Sequence, residues 1–175
     1  LAPVIVEKIN KRMAHITMTI KKARKNGKDP IIDVVLFENQ RLDKMILVIN
    51  FNFYRWWAGV GWQAAMLPHE RNAWSDETGA ITLASKETYR LPTVHDFPDL
   101  DDSIREYSSK GFFEWVDDDW ELDFEWSAVD REGWEYCNQV WTNPRESRGM
   151  GSFTRRRKWV RHMKLIQQAS TAVEE

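Results

Sequence analysis

Three consecutive carboxylates, Asp117-Asp118-Asp119, are the first residues whose spacing could hold a hard cation. Calcium and magnesium need converging oxygens, and the loop that supplies them runs Asp-x-Asp-x-Asp-Gly. That pattern is absent, so the run reads as a solvated acidic turn. His15, His69, His95 and His162 are scattered, without ligand spacing. Ser75-Asp76 has no nucleophile elbow around it. Cys137 is the single cysteine, which rules out an internal disulfide and a cysteine-based zinc site. Its setting in an aromatic stretch predicts a buried, inert thiol, and lone-cysteine usage points to a reducing compartment. Gly59 and Gly61 lack the strand, glycine loop and helix of a phosphate cradle. The residues therefore predict a non-enzymatic chain without metal or cofactor.

The stronger chemical signal is cationic and aromatic. Arg155-Arg156-Arg157-Lys158 heads a basic stretch, and a second basic block, residues 8–28, contains Lys21, Lys22, Arg24 and Lys25. If 154–162 is a strand, Arg155, Arg157, Trp159 and Arg161 share one face, and Arg156, Lys158, Val160 and His162 the other. With Trp159 in the core, Arg156 and Lys158 are the most available to an outside partner. Near an anionic membrane each basic residue contributes about 1 kcal/mol. Lys21, Lys22, Arg24 and Lys25 would bring the sum to a useful level. An alternative stays open: the acidic face Glu121, Asp123 and Glu125 could pair across the sheet with the basic strand and take it out of reach of lipid.

Ten tryptophans are many for a chain of 175 residues. Arginines sit close to them in sequence, as in Arg55-Trp56-Trp57, Arg71 with Trp74, Arg131 with Trp134, and Arg157 with Trp159. Guanidinium groups stack on indole faces, worth roughly 0.5–2 kcal/mol per pair. The first expectation is that Arg55 with Trp57 and the other three pairs are structural stacks.

The elements that must carry these residues read mainly as β. Apolar spacing predicts a helix from about Pro3 to Ala14, followed by a strand through the alternating, β-branched 16–20. Asn26-Gly27 and Asp29-Pro30 mark a turn. Ile31 to Phe37 is a near-continuous apolar run, predicting a strand buried on both faces. Trp120, Leu122, Phe124 and Trp126 alternate with acids, a period of two. Asp130-Arg131-Glu132-Gly133 is a turn, and Trp134 to Trp141 returns from it, which predicts a hairpin. Thr154 to His162 is the last strand. Loops are expected at 67–79 and around 96–110. The fold class is antiparallel all-β with a short N-terminal helix.

A formal net charge of −2 argues against a dedicated nucleic-acid binder. No apolar run approaches the ~18 residues of a membrane span, and no secretory signal is visible. The chain begins at Leu1, which suggests excision from something longer.

At this level the residues resemble a known family. Phe37-Glu38-Asn39-Gln40, Arg55-Trp56-Trp57, Gly61-Trp62, Leu67-Pro68-His69-Glu70-Arg71 and Trp74-Ser75-Asp76-Glu77 look like the N-terminal half of a dysferlin domain. Asp130-Arg131-Glu132-Gly133-Trp134-Glu135-Tyr136, Trp141 and Arg155-Arg156-Arg157-Lys158-Trp159-Val160-Arg161 look like its C-terminal half. The ending from Gly151 to Trp159 resembles the fungal endoplasmic-reticulum peroxins more than the ferlins. The likeness runs from about Val34 to Lys164. It gives a basic extension over 1–30, a dysferlin-type domain over 31–165 and a tail over 166–175. It departs at 41–54, which separate the Glu-Asn-Gln motif from Arg-Trp-Trp. Either a lineage-specific hairpin or loop, or a translated intron, accounts for that segment. Arg41 could equally be the family arginine, with the extra piece following it.

The resemblance implies an all-β domain held by arginine–aromatic stacks. It implies a parent protein at the endoplasmic-reticulum or peroxisomal membrane, with this domain facing the cytosol. It implies anionic lipid such as phosphatidic acid as ligand, other peroxins or reticulum membrane proteins as partners, and a role in peroxisome number and size or membrane contact. A sporulation-specific membrane-extension protein is a further relative. The rival function is a protein-interaction module, docking through an aromatic surface or the acidic loop Asp96 to Asp102, with the basic strand structural.

Overall fold

Helix α1, Pro3–Lys25, begins on a proline, whose missing N–H costs nothing in a first turn. The computed structural model describes residues 3–42, 61–64, 70–93, 102 and 111–167. The helix runs through the segment expected to be a strand. Ile16 and Ile20, one turn apart, are both buried, and that shared burial outweighs the β-branched preference of 16–20. Thr19 returns its hydroxyl to the His15 carbonyl at 2.9 Å, a bond only a helix offers. Gly27, with φ of 64°, ends the helix. The N–H of Lys28 reaches the Ala23 carbonyl and that of Gly27 the Arg24 carbonyl, closing a Schellman cap. Lys22, Arg24 and Lys25 fill the last turn, where cations offset the negative end of the helix dipole.

The strands are β1 (Ile31–Leu42), β2 (Trp62–Ala64), β3 (Trp74–Ser75), β4 (Gly111–Trp115), β5 (Glu121–Leu122), β6 (Glu135–Cys137) and β7 (Thr154–Gln167). The architecture is antiparallel all-β with one N-terminal helix. The sheet order is β2-β1-β7-β4, with β3 also on β1. Strands β6, β5 and β4 pair antiparallel with successive stretches of β7, at 154–156, 159–160 and 163–167. The expected hairpin between the acidic and aromatic strands is therefore not formed. Both partners use β7 instead.

Local chemistry explains why both strands are short. Asp123 accepts the Glu125 N–H at 2.8 Å, an Asx turn that ends β5. Asn138 accepts the N–H groups of Val140 and Thr142, each at 3.0 Å, and ends β6 before the expected limit at Trp141. The turn at 130–133 does form, with Gly133 at φ 83° and the Asp130 side chain bonded to the N–H groups of Glu132 and Trp134.

The chain divides into two compact units. The first comprises Leu1–Val34, Arg90–Trp120 and Arg161–Glu175. Its buried residues among those described include Ile16 and Ile20 of α1, Ile32 and Val34 of β1, Pro30, Phe113, Trp120, and Met163 and Leu165 of β7. In this stretch β1 alternates, with Ile31 and Asp33 exposed. The expectation of burial on both faces thus fails here, because an antiparallel sheet can leave one face to water. The second unit comprises Val35–Tyr89 and Glu121–Val160. Leu36, Phe37, Leu42, Trp134, Tyr136 and Cys137 are its buried apolar residues. Of the atypical segment 41–54, Arg41 and Leu42 complete β1 and the rest lies outside the described residues, as do Arg55 and Trp57. So does the acidic loop, apart from Asp102. Strand β7 continues to Gln167, two residues into the expected tail.

Candidate functional site

Period-two geometry sends Arg155, Arg157 and Trp159 of β7 to one face. In the second unit they interleave with aromatic rings from other strands. The Arg155 guanidinium lies 4.6 Å from the Trp62 ring centroid and 4.0 Å from that of Trp134. Arg157 lies 4.3 Å from Trp134 and 4.9 Å from Trp159. Lys86 covers Trp159 at 4.3 Å, and Arg148 approaches Trp62 at 5.7 Å. Cations and indoles thus alternate along Arg148, Trp62, Arg155, Trp134, Arg157, Trp159 and Lys86. Strand β1 fixes this ladder from beneath. Gln40 accepts two bonds from Arg155, at 2.8 and 2.6 Å. Glu38 accepts from Arg157 at 2.6 Å and from the Trp159 indole at 2.9 Å.

Of the stacks expected from adjacency in sequence, Arg157 on Trp159 forms, while Arg71 and Trp134 take other partners. Trp134 is sandwiched by Arg155 and Arg157, while Arg131 is exposed. Arg71 stacks at 5.2 Å on Trp141, not within the Trp74 motif. Burial holds the Arg71 guanidinium below its ordinary pKa. Trp141 also donates its indole N–H to Glu70 at 3.3 Å, and Glu70 forms an ion pair with Arg41. The reason is geometric: Arg157 and Trp159, two apart on β7, share a face, whereas Arg71 and Arg131 lie outside the strands, where no period of two aims them at Trp74 or Trp134.

The opposite face of β7 holds Arg156 and Lys158, which the strand pattern alone leaves most available. Both are occupied within the fold. Arg156 pairs with Glu135 at 2.8 Å, with both side chains largely buried. It also donates to the Glu77 carbonyl at 2.9 Å and covers Trp126 at 5.1 Å. Glu135 takes a further bond from the Ser127 hydroxyl. Lys158 pairs with Asp123 at 2.7 Å. In the first unit, Arg161 covers Trp115 at 4.2 Å and donates to the carbonyls of Asp117 and Asp118. His162 bonds Asp117 at 2.7 Å and approaches Asp33 at 3.3 Å. The triple-aspartate run is therefore tied to β7. Among the described residues no group of three or more His, Cys, Asp or Glu side chains could hold a metal.

Lys21, Lys22, Arg24 and Lys25 sit on the exposed C-terminal turns of α1, with exposed Lys28 just beyond its cap. No acidic residue lies between Glu7 and Asp29. Cys137 is buried, and burial, with the nearby Glu135, pushes its thiol up to about 11. Such a thiol stays protonated and unreactive at neutral pH.

Two of these contacts set an acid limit. The hydrogen bond from Lys158 holds the Asp123 carboxyl below its usual range, and the His162 N–H does the same for Asp117. A carboxyl depressed in the folded state adds stability above its unfolded pKa of about 3.9, and loses it as pH falls through the folded value. The melting temperature should therefore hold from pH 7 to about 5 and fall below about 4. In Asp123→Asn the neutral-pH melting point should drop and the acid fall should become shallower. An unchanged acid profile in that variant would contradict the Lys158 pairing.

Comparison with known proteins follows the same outline. The family described as Pex24p, integral peroxisomal membrane peroxin, matches residues 4–161. Peroxisomal membrane protein PEX23 of Ogataea parapolymorpha is 27% identical over 177 residues, covering 92% of this chain and 28% of the relative. Peroxisomal membrane protein PEX31 of Saccharomyces cerevisiae is 30% identical over 149 residues, covering 77% of this chain and 26% of the relative. Tectonin beta-propeller repeat-containing protein 1 of Gallus gallus is 30% identical over 113 residues, 64% of this chain and 8% of the relative. The chain thus spans about a quarter of the length of the two peroxisomal relatives. Among the described residues no helix is long and apolar enough to cross a membrane.

Proposed function

Because the chain belongs to the integral peroxisomal membrane peroxin family, we propose that it is the dysferlin-type domain through which a longer, membrane-held peroxin rests on an anionic phospholipid surface. The domain is non-enzymatic, faces the cytosol at the endoplasmic-reticulum or peroxisomal membrane, and helps set peroxisome number and size. Phosphatidic acid is the headgroup class it meets. One contrast carries this reading. The cations of β7 each meet an acid, a carbonyl or an indole within the fold, and the exposed Lys22, Lys25 and Lys28 lie at the end of α1 in a stretch whose sequence holds no acid from residue 8 to residue 28.

Lys22, Lys25 and Lys28 are exposed and would together contribute about 3 kcal/mol at an anionic surface. In flotation, the chain should bind vesicles containing phosphatidic acid, and binding should fade as salt screens the charges. Phosphatidylcholine alone should not retain it. The double variant Lys22→Gln with Lys25→Gln should bind about 30-fold more weakly, at about 1 kcal/mol per lysine. Both sites are exposed, so its melting temperature should stay close to the parent's. Equal flotation on neutral lipid, or a double variant that floats like the parent, would remove the proposal.

A further inference from the structure

Val140 is 71% exposed and Met150 90% exposed, extreme values for large apolar side chains. Single exposed hydrophobic residues are ordinary on protein surfaces. These two are not isolated from each other. Val140 tips the turn 138–142, and Met150 tips the turn 149–152. The Phe153 N–H bonds the Cys137 carbonyl, and the Thr154 hydroxyl bonds that of Asn138. Both turns also line one pocket of about 140 Å³, through Asn138 of the first and Gly151 and Ser152 of the second, with Cys137, Asn143 and Arg145 also in its wall. Two apolar tips therefore project from one laced end of the second unit.

Part of the backbone of this end is satisfied internally. Asn138 holds the N–H groups of Val140 and Thr142, its own N–H reaches the Thr142 carbonyl, and Ser152 holds that of Gly149 at 2.9 Å. Leaving bulk water is costly mainly for polar groups that lack partners, so these bonds lower the cost of desolvating the turns. Trp141 and Asn143 sit in the left-handed region, at φ 63° and 54°, with Trp141 held by Arg71 and Glu70. The first turn is thus held at Trp141. Glycines on both sides of Met150 leave it uncovered, and Arg145 is exposed in the same stretch, its guanidinium 3.8 Å from the Cβ position of Gly149.

We propose that the paired turns 138–142 and 149–152 form an apolar foot that enters the headgroup region of an anionic phospholipid bilayer, with Arg145 at its rim facing lipid phosphate. The proposal rests on the lipid reading above and adds a second, salt-insensitive contact to it. A protein groove is the rival occupant, but a pair of convex tips beside a cation suits a fluid anionic surface better.

The test uses Met150→Cys carrying an environment-sensitive fluorophore. Cys137 is buried and stays unlabelled. With vesicles of phosphatidic acid and phosphatidylcholine, the label should shift to the blue and be quenched by lipids carrying a quencher near the headgroup. A label at exposed Glu121, introduced as Glu121→Cys, should remain in water. Val140→Ser with Met150→Ser, which changes no charge, should weaken vesicle partitioning about tenfold in low salt, since two buried apolar side chains are lost. The same fractional loss should appear at every salt concentration at which the parent still binds, because neither side chain carries charge. If the parent floats while the Met150 label stays in water, or the serine pair floats like the parent, the foot is overturned and the lipid reading stands. If the parent does not float, both fall together.

Discussion

Arg156→Ala should lower the stability of the second unit by about 3–5 kcal/mol, the cost of stranding one partner of a buried ion pair. Glu135 is the partner left behind, with its side chain only 3% exposed. The Ser127 hydroxyl bond would remain but cannot neutralise a carboxylate. The indole of Trp126 and the ring of Phe37 would also lose the guanidinium that covers them. A domain's whole stability is about 5–15 kcal/mol, so the melting temperature should fall by roughly 10 °C or more. Arg156→Glu should be worse, placing two carboxylates together. Pairing Arg156→Met with Glu135→Leu should recover much of the loss, because an apolar pair needs no charge partner. Calorimetry on the three variants decides the matter. If Arg156→Glu melts like the parent, Arg156 faces solvent and returns to the roster of lipid contacts.

Arg155→Ala should cost about 2–4 kcal/mol by a different route. It removes the central rung of the ladder, opening a gap between Trp62 and the fully buried Trp134 and taking two donors from Gln40. Desolvated cation–π contacts are worth up to about 2 kcal/mol each, and the gap adds a packing loss. Burial already holds the Arg155 guanidinium below its ordinary pKa, so the site accepts a weakly hydrated flat cation more readily than an ammonium. Arg155→Lys should therefore recover little. Arg131→Ala is the contrast, expected within about 0.5 kcal/mol because Arg131 is exposed. Tryptophan emission should shift to the red in Arg155→Ala and stay unchanged in Arg131→Ala. Equal melting of both variants would mean the ladder contributes nothing.

The contrast between Arg131 and Arg155 shows which level of organisation decided what. Residue types alone determined that tryptophan and arginine would share this fold, because ten indoles must be covered and guanidinium is the cation that stacks on them. Period two over 154–162 determined that Arg155, Arg157 and Trp159 share a face, and the ordered motifs led to the family. The turn at Asn26-Gly27 was legible because a left-handed residue there favours glycine, but that a helix rather than a strand runs into it was not. Partners were legible only in part: the acidic face was a candidate partner of the basic strand, and Lys158 does meet Asp123. Trp134 lies three residues from Arg131, yet it stacks on arginines more than twenty residues away, since only the pairing of β6 with β7 brings them together. The same pairing turns Arg156 onto Glu135, and the β5 pairing places Lys158 beside Asp123. Whether a charge meets lipid or a buried carboxylate depends on what the neighbouring strand places opposite it. Strand registers join residues far apart in sequence, and no local pattern of spacing encodes that choice.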